Sequence, residues 1–146
     1  MNKDEWGTPQ WLFEDLDSEF NFDLDPCCNP SRPLSTKWNI SKDRNGLKQR
    51  WHGNVFINPP YSGRKIETWV RKADEEYKNC DVIVMLIPTT KTGTIWFREL
   101  VLDKGVEIRY ITGRINFVPL AGQNDNSNPL YSMLLIWKPE QKQEGE

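Results

Sequence analysis

The sequence predicts an α/β fold built on a mostly parallel sheet whose last strand is antiparallel. Short apolar segments alternate along the chain with segments in which apolar residues recur every three or four positions, the pattern of strands alternating with helices. The segment 82–87 is apolar throughout, which suits a strand buried on both faces of a parallel sheet. No helical pattern separates the last two predicted strands, so the final strand is expected to run antiparallel.

The first predicted helix begins at Thr8, which is expected to cap it, and Pro9 suits its first position. Leu12, Leu16 and Phe20 give this helix one apolar face. The other predicted elements are strands at 22–25, 54–57, 81–87, 106–111 and 132–137, helices at 65–79 and 94–102, an irregular segment at 27–50 and a long polar loop at 113–130.

Length and composition predict one domain over residues 1–138, followed by a polar tail at 139–146. No apolar run is long enough to span a bilayer, and the polar, acidic start does not resemble a signal peptide, so we expect a cytoplasmic protein without a membrane partner. Cys27 and Cys28 are adjacent, which fits neither a disulfide framework nor zinc-ligand spacing, and no metal is expected. His52, the only histidine, has no nucleophilic partner in a recognisable motif.

In open sheets of this kind ligands bind beyond the carboxyl ends of the strands, which places Asp25, Asn58, Pro88 and Gly113 near one rim. The tetrapeptide Asn58-Pro59-Pro60-Tyr61 is the most informative motif there, because it directly follows an apolar strand and precedes a helix. A chance match in a chain of this length has a probability on the order of one in a thousand. A rigid turn that merely ends the strand is the alternative interpretation.

The tetrapeptide suits the methylation of an aromatic amine, whose lone pair is delocalised into its ring. The side-chain carbonyl of Asn58 and the backbone carbonyl of Pro59 could accept hydrogen bonds from both amine hydrogens and favour a tetrahedral nitrogen. The prolines lack N–H groups and fix φ, so Pro59 and Pro60 hold the carbonyls in a preset geometry. The ring of Tyr61 offers a face on which a flipped base could stack. Positioning then supplies most of the catalysis, with no metal and no nucleophilic side chain.

A methyl donor needs a second site, and the end of the first strand offers acidic residues for it. Asp25, adjacent to Pro26 and nearest the rim, is expected to bind ribose hydroxyls or to face the amine of the donor. Alternation places Asp23 on the same face, although a turn-forming acid is a serious alternative for that residue. The segment Trp6–Pro9 could close over the methionine part of the donor, or it could be only a helix start.

Net charge is −2, but the basic residues are unevenly distributed, since residues 31–50 carry six basic residues against one acidic residue. This segment is a candidate for binding phosphate. The individual candidates for contacts with nucleic acid are Arg44, Lys48, Arg64, Lys65, Lys91 and Arg114. Each of these side chains could instead be a solvated charge, and the polar loop that contains Arg114 could be a flexible connection.

Five segments together resemble a known family. They are Trp6–Pro9, Phe22–Pro26, Asn58–Tyr61, Gly113–Phe117 and Ser132–Ile136, in this order. In combination they resemble the small phage-type DNA N-6-adenine methyltransferases, over about residues 5–138.

The resemblance implies a Rossmann-like methyltransferase fold with a reduced sheet, S-adenosylmethionine as the donor and adenine in double-stranded DNA as the substrate. It implies that Asn58–Tyr61 hold the adenine and that Trp6–Pro9 contact the methionine end of the donor. The Gly-rich loop of larger methyltransferases is replaced by Asp25-Pro26-Cys27-Cys28. A cytosine-amine DNA methyltransferase, a protein-glutamine methyltransferase and an inactive DNA-binding module with the same fold remain the alternatives.

Overall fold

The computed structural model describes residues 6–28, 34, 36, 38–41, 45–116, 118–119 and 129–139. Its strands and helices, in chain order, are β1 (Trp6–Gly7), α1 (Gln10–Phe20), β2 (Leu24–Cys28), β3 (Trp38–Ser41), β4 (Gly53–Ile57), α2 (Lys65–Glu76), β5 (Cys80–Pro88), α3 (Ile95–Phe97), β6 (Glu107–Asn116), β7 (Val118–Pro119) and β8 (Pro129–Trp137). Short 3₁₀ turns follow α2 and β5, and α3 continues into a π-helical turn.

The main sheet has the strand order β3-β2-β4-β5-β8-β6. The first four of these strands are parallel to one another, whereas β8 is antiparallel to both β5 and β6. The structure therefore confirms the predicted α/β fold with an antiparallel last strand, and it is consistent with the expected Rossmann-like methyltransferase sheet. A second, two-stranded ladder joins β1 to β7 in antiparallel register, with Trp6 opposite Pro119 and Gly7 opposite Val118.

The core lies on both faces of the sheet, because successive residues of a strand point to opposite sides. On one face Val55 and Ile57 pack with Ile66 and Val70 of α2. The other face packs against α1 through a cluster that contains Leu12, Phe13, Leu16, Phe22, Phe56, Val84, Leu86 and Leu134. Full burial of one such side chain contributes roughly 1.5–3 kcal/mol, so these two clusters make the sheet a firm platform.

The chain reverses its direction of travel across the sheet between β2 and β4. From β2 it moves outward to β3, and it then returns to place β4 on the opposite side of β2. The carboxyl ends of β2 and β4 therefore border a topological switch point, where open α/β sheets bind their ligands.

Several local predictions were wrong. Helix α1 begins one residue later than predicted: Pro9 is its N-cap, and no side chain caps it. Strand β2 starts later than predicted and runs on through Pro26 to Cys28, where its register with β3 is irregular. Irregular pairing tolerates a proline, which has no N–H to donate. Within the described part of the segment predicted to be irregular, the structure has strand β3 and the turn Gly46–Lys48.

Strand β6 also extends beyond its prediction, through Gly113 to Asn116, and β7 follows it. Gly113 has a φ of +82° and lies within a register shift between β6 and β8, so the glycine marks a bulge and not a turn. Strand β8 begins at Pro129, within the predicted polar loop and three residues before its own predicted start. Residues 117 and 120–128 of that loop lie outside the described residues. Of the predicted polar tail only residue 139 is described.

Within the described ranges no helix is long and apolar enough to cross a membrane.

Candidate active site

The tetrapeptide Asn58-Pro59-Pro60-Tyr61 lies between β4 and α2, at the switch point of the sheet. Strand β4 is paired on both sides, with β2 and β5, and its last residue, Ile57, is fully buried. The tetrapeptide therefore leaves the sheet from a rigid, central strand. The position predicted from the sequence, at the end of an apolar strand and before a helix, is confirmed.

Both ends of the Asn58 side-chain amide are hydrogen-bonded. The Nδ2 group donates to the hydroxyl oxygen of Thr8 over 3.0 Å. The hydroxyl of Tyr61 donates to Oδ1 over 3.1 Å. These two bonds come from opposite directions along the chain and together define which way the carbonyl faces. An amide oxygen can accept two hydrogen bonds, so the bond from Tyr61 does not exhaust the capacity of Oδ1.

The side chain of Tyr61 is half-buried, and its ring packs against the core on the α2 side of the sheet. Burial raises the pKa of its hydroxyl well above the usual range. The hydroxyl therefore stays protonated at neutral pH and can donate to Asn58. The structure thus shows a contact of the hydroxyl, whereas the sequence directed attention to the ring.

The segment Trp6–Pro9 reaches the tetrapeptide through Thr8. Thr8 is only 5% exposed. Its hydroxyl was predicted to cap α1, but in the structure it accepts a hydrogen bond from Asn58 instead. Pro9 is buried, and its carbonyl accepts hydrogen bonds from the first turn of α1. Gly7 is held by the ladder with β7, and the side chain of Trp6 lies outside the described residues. The structure therefore brings the expected donor segment and the tetrapeptide together.

Asp25 is a buried carboxyl on the same side of the sheet as α1. It is 4% exposed, and its Oδ1 accepts a hydrogen bond of 3.0 Å from the backbone N–H of Cys27. Burial raises the pKa of Asp25 to about 7, against the opposing effect of that hydrogen bond. Leu24 pairs with Val55, and its side chain lies on the α2 face of the sheet. The next side chain, that of Asp25, therefore points to the opposite face, which is covered by α1, the helix that follows Thr8 and Pro9.

Asp23 is not brought to the tetrapeptide. Its Oδ2 accepts from the backbone N–H of Asn54 over 2.9 Å, at the opposite end of β4 from Asn58. Gly53 is needed beside it, because a Cβ there would lie 2.5 Å from the same oxygen. Asp23 therefore joins the starts of β2 and β4, a structural contact between strands and not the turn that the sequence offered as the alternative.

Ser132 was not identified as a candidate site residue from the sequence. Its side chain is 1% exposed, and its Oγ has no hydrogen-bond partner among the described residues. It lies opposite Pro88 and alternates with Leu134, so it also points to the α1 side. The buried polar side chains of the described core are Thr8, Asp25 and Ser132. The available signal in the sequence was that Ser132 is the one hydroxyl residue, and the first residue, of the otherwise apolar predicted strand at 132–137.

The basic residues proposed for DNA are distributed unequally. Arg64 and Lys65 are exposed directly after the tetrapeptide, at the start of α2, and Lys91 is half-buried in the turn that follows β5 at the same edge of the sheet. Lys48 is exposed on the turn that packs against β2. The backbone of Arg114 pairs with Tyr131, but its side chain lies outside the described residues, as does Arg44 as a whole.

The described part of the chain contains no cluster of three or more His, Cys, Asp or Glu side chains placed to hold a metal ion. The Cys28 thiol beside the site is buried, and burial together with the charge of Asp25 raises its pKa to about 11. Such a thiol is protonated at neutral pH and is a poor nucleophile. Besides the basic side chains named above, the polar groups at this edge are carboxyl, amide and hydroxyl groups.

Comparisons with known proteins identify the family of the chain. A family model described as DNA N-6-adenine-methyltransferase (Dam) matches residues 1–145. The chain is 32% identical over 143 residues to the DNA N-6-adenine-methyltransferase of Haemophilus phage HP1 (strain HP1c1), an alignment that covers 94% of this chain and 80% of that protein. It is 33% identical over 100 residues to the DNA N-6-adenine-methyltransferase of Escherichia phage T1, covering 66% of this chain and 40% of that protein. No solved structure matches the chain significantly. With the tetrapeptide at the switch point of the expected sheet, these matches show that the chain belongs to the DNA N-6-adenine-methyltransferase (Dam) family.

Proposed function

We propose that the chain transfers a methyl group from S-adenosylmethionine to the exocyclic amine of adenine in double-stranded DNA, and that Asn58–Tyr61 hold the reacting amine. Membership of the family identifies the protein as an enzyme of DNA adenine methylation. The observation that carries the assignment of the site is the Asn58 amide, which is hydrogen-bonded at both ends and lies at the switch point.

The amine of adenine is a weak nucleophile, and the tetrapeptide can strengthen it. Oδ1 of Asn58 and the carbonyl of Pro59 accept hydrogen bonds from the two amine hydrogens and draw the nitrogen towards tetrahedral geometry. The nitrogen takes the methyl group as the bond between that group and the donor sulfur breaks, which leaves a neutral thioether. The nitrogen is positive until it releases one proton to solvent, and the same two carbonyl dipoles stabilise this charge. One preorganised group of this kind contributes about 10²–10³-fold to a rate, which makes Asn58 the residue with the largest expected effect.

The target base must leave the duplex to reach the tetrapeptide, because the neighbouring base pairs would otherwise collide with the rim of the sheet. The ring of Tyr61, within the tetrapeptide itself, is proposed as the aromatic surface for the extruded adenine. Stacking of one base on an aromatic side chain contributes about 1–3 kcal/mol. Arg64, Lys65 and Lys91, at the same edge, are proposed to bind the flanking phosphates, with Arg44, Lys48 and Arg114 as further candidates.

The residues at the rim fit the donor. S-adenosylmethionine, when bound, supplies a methyl group on a positively charged sulfur. Its hydroxyl and ammonium groups need polar partners, and the rim offers the buried carboxyl of Asp25 and the orphaned hydroxyl of Ser132. We propose that Asp25, with Pro26 and the segment Trp6–Pro9, holds the donor. Asp23 is the weaker candidate because its carboxylate already accepts the N–H of Asn54.

The test is methyl transfer by the purified chain to a long double-stranded DNA of mixed sequence. Labelled S-adenosylmethionine should place its label on adenine, and sequencing of the modified bases should show one recurrent context. Label on cytosine or on protein only would reject the adenine assignment in favour of the cytosine or glutamine alternatives, and failure to bind the donor would indicate an inactive module.

Asn58→Ala should lower the single-turnover rate constant by about 10²-fold or more. Asn79→Ala is the matched control, because Asn79 is exposed and immediately precedes β5, at the end of the sheet away from the tetrapeptide. Near-normal transfer by the Asn58 variant would remove this residue from the mechanism, whatever base carries the label.

A further inference from the structure

We infer that Thr8 is a positioning residue for the reaction: it holds the Asn58 amide in a fixed plane, in which the carbonyl oxygen that accepts from Tyr61 can also face the adenine amine. The inference rests on the proposed role of Asn58. It assigns Thr8 an action through that residue, beyond the contact with the donor that the family resemblance implies for its segment.

The need for such a residue follows from the shape of an amide. The oxygen and the NH₂ group of an asparagine are nearly equal in size, so rotation by half a turn exchanges them at little steric cost. An amide rotated in this way would point two N–H donors at the hydrogens of the adenine amine. It would then repel the group that it should hold, and the rate would fall although the side chain is still present.

The hydrogen bonds in the structure divide this task. The hydroxyl of Thr8 can donate or accept, so its bond fixes the plane of the amide and not which end is the oxygen. The phenol of Tyr61 donates more readily than it accepts, because its oxygen lone pair is delocalised into the ring, so its bond keeps the oxygen end of the amide in place. Nδ2 of Asn58 donates to Oγ1 of Thr8 over 3.0 Å, while Oδ1 accepts from the hydroxyl of Tyr61. Tyr61 lies only three residues from Asn58 in the same loop, and it moves with that loop. Thr8 lies 50 residues away in the chain, so it provides a reference point that does not belong to the loop.

Thr8 is itself held from both sides. On its carboxyl side the carbonyl of Pro9 accepts from the N–H groups of Leu12 and Phe13, each over 3.1 Å. The side chains of these two residues lie on the buried face of α1. On its amino side Gly7 pairs with Val118. The Thr8 side chain does not cap α1, so its hydroxyl serves Asn58 and not the helix.

Single substitutions separate the acceptor from the shape of the side chain. Thr8→Val keeps the shape and removes the acceptor, and it should lower the single-turnover rate constant about 10-fold, the loss expected for one hydrogen bond that leaves a polar group unpartnered. The KM for the donor and the Kd for DNA should change by less than about two-fold, because the effect lies in the reacting geometry. Thr8→Ser, which retains the hydroxyl, should restore most of the rate. Thr68→Val is the matched control, since Thr68 is exposed on α2 and bonds only within its helix.

A double-mutant cycle distinguishes whether Thr8 acts through Asn58 or by contacting the donor. In an Asn58→Ala background, Thr8→Val should cause no further loss of rate, since the group that it positions is gone. Equal losses in both backgrounds, accompanied by a higher KM for the donor, would overturn the inference and make Thr8 a donor contact only. If Asn58→Ala alone retains full activity, it is the proposed function that fails.

Hydrogen exchange of the Asn58 side-chain amide, measured by NMR, tests the contact without an assay. The NH₂ protons should exchange slowly in the unsubstituted protein and in Thr8→Ser, and as fast as those of the exposed Asn79 in Thr8→Val. Should Thr8→Val fail to fold, the unsubstituted protein still decides the question. Exchange at Asn58 as fast as at Asn79 in that protein would overturn the inference.

Discussion

Tyr61 shows how one side chain can serve a site in two ways. Its ring packs at the edge of the core, and its hydroxyl donates to Oδ1 of Asn58. The ring can therefore support the base while the hydroxyl orients the amide. Substitutions that remove the two parts separately should thus affect different kinetic constants.

Tyr61→Ala should weaken binding of DNA with an extruded adenine by about 1–3 kcal/mol, because the stacking surface is lost. Tyr61→Phe should be milder and should lower the rate constant more than the affinity, because stacking survives while Asn58 loses a donor. Fluorescence anisotropy with DNA in which the target adenine faces an abasic position measures the first effect, and single-turnover kinetics measures the second. Equal losses of affinity in the two variants would show that the ring does not bind the base.

Asp25 predicts a pH dependence of stability whose sign follows from its environment. Its pKa rises from 3.8 in the unfolded chain to about 7 in the fold, so between these values the folded protein holds a proton that the unfolded chain has lost. Raising the pH through this window therefore favours unfolding. Asp25→Asn removes the titration and retains an acceptor for the N–H of Cys27.

At pH 8 the free energy of unfolding of Asp25→Asn should therefore exceed that of the unsubstituted protein by at most about 4 kcal/mol. The difference should vanish near pH 3, where the carboxyl is protonated in both the folded and the unfolded chain. Denaturant titrations at several pH values measure it. The same variant should bind the donor more weakly, since its carboxylate is lost. A stability difference that stays constant over pH would mean that Asp25 is not the group that titrates.

At the scale of elements, the turn Gly46–Lys48 supports the strand that carries Asp25. A Cβ at Gly46 would lie 1.9 Å from the carbonyl oxygen of Pro26, and the carbonyl of Gly46 accepts from the indole N–H of Trp51 over 2.9 Å. The turn is thus pressed against β2 by a contact that only glycine permits.

Gly46→Ala should lower the free energy of unfolding by about 1–3 kcal/mol, the usual cost of overpacking, and should weaken donor binding because β2 must shift. Gly93→Ala is the matched control, since a Cβ at Gly93 would meet no atom within 4 Å. Denaturant unfolding and calorimetric titration with the donor measure the two effects. A Gly46 variant as stable as the control would show that the turn does not brace β2.

The elements also show what a sequence can reveal. The strand at 82–87 was predictable because burial on both faces demands an unbroken apolar run, and β4 because it leads directly into the tetrapeptide. Strand β3 was not predictable, because it is a short edge strand with Trp38 exposed and no clear alternation. The places of Thr8 and Ser132 near the site were out of reach for another reason. Thr8 lies 50 residues away from Asn58, and Ser132 is buried only through the pairing of β8 with β5.

At the scale of the whole molecule, the site is assembled from segments that are far apart in the chain. The amino-terminal segment contributes Thr8, β2 contributes Asp25, and the loop after β4 contributes Asn58. None of these elements could form the site alone. Loss of activity on unfolding should accordingly be cooperative with loss of the sheet.

The short ladder between β1 and β7 should make the two proposed binding events, of donor and of DNA, interdependent. Strand β7 follows Arg114, a candidate for contact with DNA, while β1 leads into Thr8. A ligand that orders one strand also orders its partner, so the second ligand pays less of the entropic cost of ordering the ladder. Each ligand should therefore raise the affinity of the protein for the other by the same factor. Calorimetric titration of DNA with and without a non-reactive analogue of the donor, and the reverse titration, measures that factor. Unequal factors would mean that the two titrations do not follow the same equilibrium, and a factor of one would show that the ladder transmits nothing.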